Sequence, residues 1–213
     1  PQGAIDLGPG HPMNAGRVII ALQVEDDVVI SAGVQPGALH RGAEMLFEVR
    51  DYRQALSLAN RHDWQAPIVG ELVLSQLVES QLGAEVPSRA HALRCALVEH
   101  HRIQSHLANL SFVGHHLGLP DLDTGPWREQ LRLSSHELTG NRVHPMVIRL
   151  GGVAVDADQQ WCASERRLAA SCRDIGRRIS DAAAGAGLGV GIAPVSADVV
   201  AAHGLAGPSA RAR

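Results

Sequence analysis

Apolar and polar positions change rhythm along this chain, and the changes predict its elements. Between residues 17 and 34 the period is two. Val18, Ile20, Leu22 and Val24 alternate with their neighbours, Asp26-Asp27 offers a turn, and Val28-Val29-Ile30 returns. This predicts a β-hairpin. Ile19 and Ala21 are apolar too, so both faces of the first strand are expected to be covered. From residue 41 the period lengthens to that of a helix. Met45, Val49, Tyr52, Leu56 and Ala59 recur at gaps of four and three and predict one helix over 41–60 with these residues on one face. A second helix is predicted after Pro67, with Leu72, Leu77 and Val78 on its apolar side and Gly83 as its stop. A third starts at Pro87-Ser88 and runs to about Gly118, its stripe made by Leu93, Leu97, Ile103, Leu107 and Leu110. Pro120 to Pro126, with Asp121, Asp123 and Gly125, reads as a loop. A further helix is expected over about 127–143, a break at Gly151-Gly152, and a helix over 156–182 that is polar on one face. From Ala183 to Gly191 the chain is small and glycine-rich, and a short tail follows.

The expected fold class is therefore α+β, an N-terminal β-hairpin followed by a mainly α-helical bundle. The expected divisions are a β-hairpin region at 1–38, a helical core at 39–182 and a glycine-rich C-terminal segment at 183–213.

Charge and composition narrow the function classes. A net charge of −3 gives no general attraction to nucleic acid or to an anionic membrane surface. All 19 basic residues are arginine. Cys95, Cys162 and Cys172 are widely spaced with no CxxC pair, which argues against a disulfide scaffold and against a zinc or iron–sulfur site held by this chain alone. A reducing, cytoplasmic setting is expected. There is no run of about 18 apolar residues to span a membrane, and no secretory signal is read. The abrupt start at Pro1, and the end soon after a Gly-Pro turn, read as those of a fragment.

Histidine is the unusual residue. Of 12, six fall between His91 and His116, both included. His100-His101 are adjacent, His106 lies five beyond His101, and His115-His116 are adjacent; none forms an i, i+4 ligand pair or HExxH. The reading is surface or hydrogen-bonded core histidines, and no bound metal is expected. Glu99 and Arg102 lie three apart with His106 a turn beyond, either as a helix-face ion pair or as part of a buried network between helices. Gly8-Pro9-Gly10-His11-Pro12 is a rigid loop of the kind that can shape a ligand site. The alternating glycines at 185–191 fit neither GxxxxGK[ST] nor GxGxxG, so nucleotide binding is not expected there.

Together these segments resemble a family. GPGHPMNAGR at 8–17 is similar to the GPxHPxxxG opening of the large catalytic-core subunit of respiratory complex I, also called its D or 49 kDa subunit. LHRGAEMLFE at 39–48, with His40, Arg41 and Glu44, resembles HRGxEKLxE, and GAEVPSRA at 83–90 resembles GxEVPxRA. Arg94, Glu99, Arg102, His106 and Leu107 match RxxxxExxRxxxHL in order and spacing. TGNRVHPMVIRLGGV at 139–153 resembles the segment ending in RxGGV, and AHGLAGPSAR at 202–211 resembles AxGLxGPxxR. The match stops where the family continues, so the family's C-terminal portion is expected to be missing.

The resemblance implies a hydrogenase large-subunit-like fold, shared with membrane-bound nickel–iron hydrogenases. Asp63 and Ala66 stand where the first CxxC thiolates of those enzymes would be, so the soft ligands a nickel–iron centre needs are lacking. In the complex I branch the fold forms a quinone pocket against the subunit carrying the terminal iron–sulfur cluster. By resemblance, Arg61 and His144 stand on the cluster side. His11, Ala15, Trp64 and His116 stand at quinone-pocket positions. Ala15 replaces a histidine, Trp64 a tyrosine, and His116 falls at or near an aspartate. The implied role is a peripheral subunit on the cytoplasmic face of the membrane. It would bind no cofactor itself and no nucleic acid, with quinone as candidate substrate and the cluster-bearing and other peripheral-arm subunits as partners. The alternatives are a catalytically inactive structural paralogue, or a member of a formate- or ferredoxin-linked membrane complex.

Overall fold

The structure is a computed structural model, and it describes residues 2–6, 8, 18–35, 40–116, 123–186, 191 and 194–205. The backbone divides into two compact units, residues 1–179 and 180–213.

The first unit opens with a three-stranded antiparallel sheet in the order β1 (Gln2–Asp6), β2 (Ile19–Glu25), β3 (Val28–Gln35). The predicted hairpin is β2–β3. Asp26 and Asp27 both adopt positive φ, 47° and 61°, the geometry that matches the twist of a tight two-residue hairpin. β1 was not legible in the alternation; it joins the edge of β2 with Ile5 opposite Ile20. The expectation that both faces of the first strand are covered holds only in part: on β2 Ile19, Ile20, Leu22 and Val24 are half-buried, but Ala21 is exposed. Ile5 on β1 and Val28, Val29, Ile30 and Val34 on β3 are 48–61% exposed.

The helix expected over 41–60 is two helices, α1 (Ala43–Glu48) and α2 (Tyr52–Asn60). Asp51 makes the division. Its backbone is extended and its carboxylate accepts the Gln54 N–H at 2.8 Å, an N-cap that starts a new helix in mid-pattern. The break puts Met45, Val49 and Tyr52 at 65–72% exposure, while Leu56 and Ala59 remain buried.

α3 (Pro67–Leu82) starts at its proline and stops at Gly83, whose φ of 61° favours glycine. The predicted apolar side is only partly the buried one: Val78 is buried and Leu72 half-buried, but Leu77 is exposed. Ile68, Glu71, Ser75, Val78 and Glu79 point inward, while Val69, Val73 and Leu77, two residues out of phase, are 38–61% exposed. Gly70 lets α3 approach α2, because a Cβ there would lie 2.3 Å from the Ala59 carbonyl oxygen.

α4 (Ser88–His116) is the long central helix. α5 (Gly125–Thr139) takes Pro126 into its first turn and ends at Gly140, φ 76°, so it lies slightly earlier than expected. Thr124 Oγ1 donates to the Leu107 carbonyl at 2.7 Å and fixes the start of α5 on α4. A two-residue antiparallel pair, β4 (Ile148–Arg149) and β5 (Gly152–Val153), turns at the predicted Gly151-Gly152 break. α6 (Gln159–Gly185) begins after Asp158, whose carboxylate caps the Trp161 N–H at 2.7 Å. Ile68, Leu93, Leu97, Val147, Ile148, Ala157 and Trp161 form the core where α3, α4, β4 and the start of α6 meet. In the second unit, α7 (Ala197–Ala202) is capped by Ser196, which accepts from the Val199 N–H.

Candidate functional site

The inward polar face of α3 reaches a buried ion pair. Arg94 of α4 and Glu79 are 1% and 7% exposed at their side chains and meet through two parallel bonds, 2.9 and 2.6 Å. The same guanidinium donates to the carbonyls of Arg149 (2.7 Å) and Gly152 (2.9 Å). Glu79 also accepts from Ser75 Oγ (3.0 Å) and the Gly151 N–H (2.7 Å). Every polar atom of the pair is thereby hydrogen-bonded, as a buried pair needs to offset its desolvation, and Arg94 Nε and Nη2 and Glu79 Oε1 reach the β4–β5 turn. The bond to Arg94 holds the Glu79 carboxyl down at about 2. Two turns before Glu79, Glu71 accepts from the Ile148 N–H at 2.9 Å and from the Asn60 side-chain amide. Burial raises its pKa above the ordinary value, outweighing these bonds and the nearby Arg149 charge.

This frame positions a corner between the end of α2 and the loop 141–147. Arg61 donates to the Ser57 carbonyl at 3.2 Å and to the Met146 sulfur at 3.0 Å, and its own carbonyl accepts from Arg41 at 2.8 Å. Asn141 Oδ1 accepts from the backbone N–H groups of Val143 (2.9 Å) and His144 (2.8 Å), a side-chain turn that aims the half-buried His144 toward Arg61. Burial first, and the neighbouring Arg61 charge second, lower the His144 pKa, while the Asn60 carbonyl favours its protonated form. The corner therefore offers a fixed guanidinium beside a neutral imidazole. Trp64, 42% exposed, follows in the turn that leads to Pro67. In that turn the Asp63 carboxylate is engaged by the Gln65 N–H at 2.9 Å.

Two residues singled out separately in the sequence, Arg61 and His144, are thus brought together, with Arg41 behind them. His11 and Ala15 lie outside the described residues. His116 ends α4, and its side chain is also outside them. His40 and Glu44 are exposed, Glu44 in the first turn of α1. Glu99 and Arg102 form an ion pair on the outer face of α4, both more than half exposed, with His106 also exposed. Of the two readings of that trio the helix-face pair holds. The buried interhelical network lies at Arg94 instead, because α4 turns Leu93, Arg94, Leu97, His100 and His101 inward. Among the described residues no group of three His, Cys, Asp or Glu side chains is arranged to hold a metal, and no helix is long and apolar enough to cross a membrane.

Sequence reasoning missed Asn60, Glu71, Glu79 and Glu165. A usable signal was present for two of them. Glu71, Ser75 and Glu79 repeat every fourth residue, as Val69, Val73 and Leu77 do on the opposite side, and periodicity alone assigns the apolar set inward.

Comparison with known proteins bears on what carries this corner. The second NADH-quinone oxidoreductase D subunit of Salinispora tropica is 38% identical over 98% of this chain, and the first such D subunit of Streptomyces coelicolor is 37% identical over 98%. Over nearly its whole length the chain is homologous to NADH-quinone oxidoreductase D subunits. It spans 55% and 56% of the length of those two relatives. No protein-family model matches it. Among solved structures, the membrane-bound sulfane sulfur reductase, an archaeal respiratory membrane complex, superposes with a TM-score of 0.74 at 27% identity, covering 84% of this chain and 49% of that one. The expected α+β class, an N-terminal sheet before a mainly helical body, stands with this homology.

Proposed function

We propose that this chain is a peripheral core component of a complex I-like NADH–quinone oxidoreductase. It docks on the subunit that carries the terminal iron–sulfur cluster and helps to form the quinone pocket from the cytoplasmic side. The observation that carries the reading is the Arg61–His144 corner, a guanidinium and an imidazole from segments far apart in sequence held on one side of α2. A cation and a hydrogen-bond donor next to a cluster stabilise its reduced, more negative state and raise its potential. This chain supplies those groups, and among the described residues no group of three His, Cys, Asp or Glu side chains is arranged to hold a metal. The other peripheral-arm subunits complete the complex, and contact with the membrane is indirect.

The test is the assembled complex. With Arg61 and His144 facing the cluster, His144→Ala lowers the cluster's midpoint potential in a redox titration followed by electron paramagnetic resonance. An unchanged potential removes the corner from the cluster side.

A second reading, a structural paralogue without turnover, is favoured by Trp64, Ala15 and His116 at quinone-pocket positions. Trp64 offers an indole N–H but no titratable hydroxyl. Restoring Ala15→His, Trp64→Tyr and His116→Asp together yields quinone reduction above the parent complex if the pocket persists. No gain, from a parent without turnover, decides for the paralogue.

A further inference from the structure

Among the buried polar atoms without a protein partner are His100 Nε2, His101 Nε2, Gln104 Oε1, His144 Nδ1 and Asn60 Oδ1, and His100 and His144 lie close enough to His101 for their charges to act on it. His100 and His101 are 3% and 1% exposed, and their rings meet edge to face at 5.3 Å. The other ring nitrogen of His100, Nδ1, is 2.6 Å from Glu165 Oε2 on α6. Glu165 Oε1 accepts from Ser134 Oγ at 3.3 Å, and Ser134 lines an open cleft of about 420 Å³ between α5 and α6. At the far end, His101 lies one turn beyond Leu97, which packs with Val147 and Ile148 at the end of the loop that carries His144. The path begins at solvent in the cleft and ends at the Arg61–His144 corner.

Buried polar atoms in folded proteins are almost always hydrogen-bonded, to protein or to internal water. His100 Nε2, His101 Nε2 and His144 Nδ1, on three imidazoles within electrostatic reach of one another, are the partners a short file of waters requires. A neutral imidazole takes a proton on one nitrogen as it releases one from the other. His101 is held neutral, with its pKa lowered to about 3 by burial first, then by the charges of His100 and His144. The titratable and charged groups facing the path are Glu165 and Cys172 from α6, His144 from the loop and Arg61 just after α2.

We infer that Glu165, His100 and His101, bridged by internal water, form a proton line from the α5–α6 cleft to His144. A proton from solvent enters at the Glu165 carboxylate and passes to His100 Nδ1. Release from His100 Nε2 through water to His101 follows, and a proton leaves His101 toward His144 Nδ1. Each group returns to its starting charge after its ring has changed tautomer. No electrons move. The inference rests on the proposed function only for the use of the protons, which would neutralise a quinone reduced beside the corner.

The measurement is exchange of imidazole N–H protons with water in the full chain, labelled with 15N-histidine and followed by NMR. Glu165→Gln keeps both hydrogen bonds of Glu165 but cannot carry a proton, and His100→Gln breaks the line at its first ring. Both slow exchange at His101 and His144 by about tenfold or more, while Glu85→Gln, at an exposed carboxylate, leaves it unchanged. Far-UV circular dichroism selects folded variants; should His100→Gln unfold, Glu165→Gln alone decides. Exchange at His144 that is equally fast in a folded Glu165→Gln variant overturns the line. In the assembled complex, Glu165→Gln is expected to slow quinone reduction and to raise its solvent deuterium isotope effect. Slowed exchange in a complex without quinone reduction keeps the line and rejects the proposed function.

Discussion

Glu71 and Glu79 sit two turns apart on one helix face and answer to opposite terms. At Glu79 the bonds to Arg94 outweigh desolvation, and its carboxyl is held at about 2 against an ordinary 4.5. A lowered folded value means stabilisation that is complete above about pH 4.5 and lost as pH falls toward 2, here worth about 3 kcal/mol. At Glu71 desolvation wins and the value rises, so its contribution is complete below 4.5 and declines as pH rises through the folded value. Urea titrations should therefore show stability falling between about pH 4.5 and 2. Glu79→Gln should flatten that window and cost about 3–5 kcal/mol at neutral pH, since Arg94 is left buried and unpaired. A loss just as steep in the Glu79→Gln variant would remove Glu79 as its source. Glu71→Gln should behave differently. Glutamine can still accept the Ile148 N–H and, with the Asn60 amide turned over, donate to the unpartnered Asn60 Oδ1. Neutral-pH stability should stay within about 1 kcal/mol of the parent.

At the level of elements, α3 is clamped on one side and bare on the other. Gly70 sets the clamp to α2. A methyl group there meets the Ala59 carbonyl, which is backbone and cannot rotate away, so Gly70→Ala should lower stability by about 1–3 kcal/mol despite the better helix propensity of alanine. A thermal midpoint at or above that of the parent would mean the two helices separate freely. The bare side carries Val69, Val73 and Leu77. Replacing Val73 and Leu77 with glutamine should change stability by no more than about 0.5 kcal/mol each. It should also raise the solubility of the isolated chain. Losses of a core-like size would show that this side is covered.

For the whole molecule, the exposed apolar positions on β3, α1 and α3 are more than scattered surface residues. They are the positions that the proposed docking would cover, and the chain spans little more than half of the length of the D subunits it matches. The isolated chain should bind a hydrophobic dye and self-associate. Co-expression with a cluster-bearing partner should suppress both. A monodisperse, dye-silent monomer that ignores such a partner would count against docking.

What the sequence determined by itself was local or carried by motif. The Asp26-Asp27 hairpin, Pro67 and Gly83 at the ends of α3, the Gly151-Gly152 turn and the family relationship follow from short-range backbone preferences and residue order. The split at Asp51 was also local, but a continuous apolar spacing masked it. Tertiary structure alone decided which side of α3 is inside. Hydrophobic period measures the contrast between two faces, and it cannot tell that Glu71, Ser75 and Glu79 find Ile148, Gly151 and Arg94 to bond. It likewise took the packed structure to choose Arg94 over Arg102 for the buried pair. Arg61 came to rest by His144, and His100 by Glu165, because core contacts between Leu97, Val147, Ile148 and Trp161 bring distant segments together. Burial and partnership are properties of that packing, and no spacing along the chain encodes them.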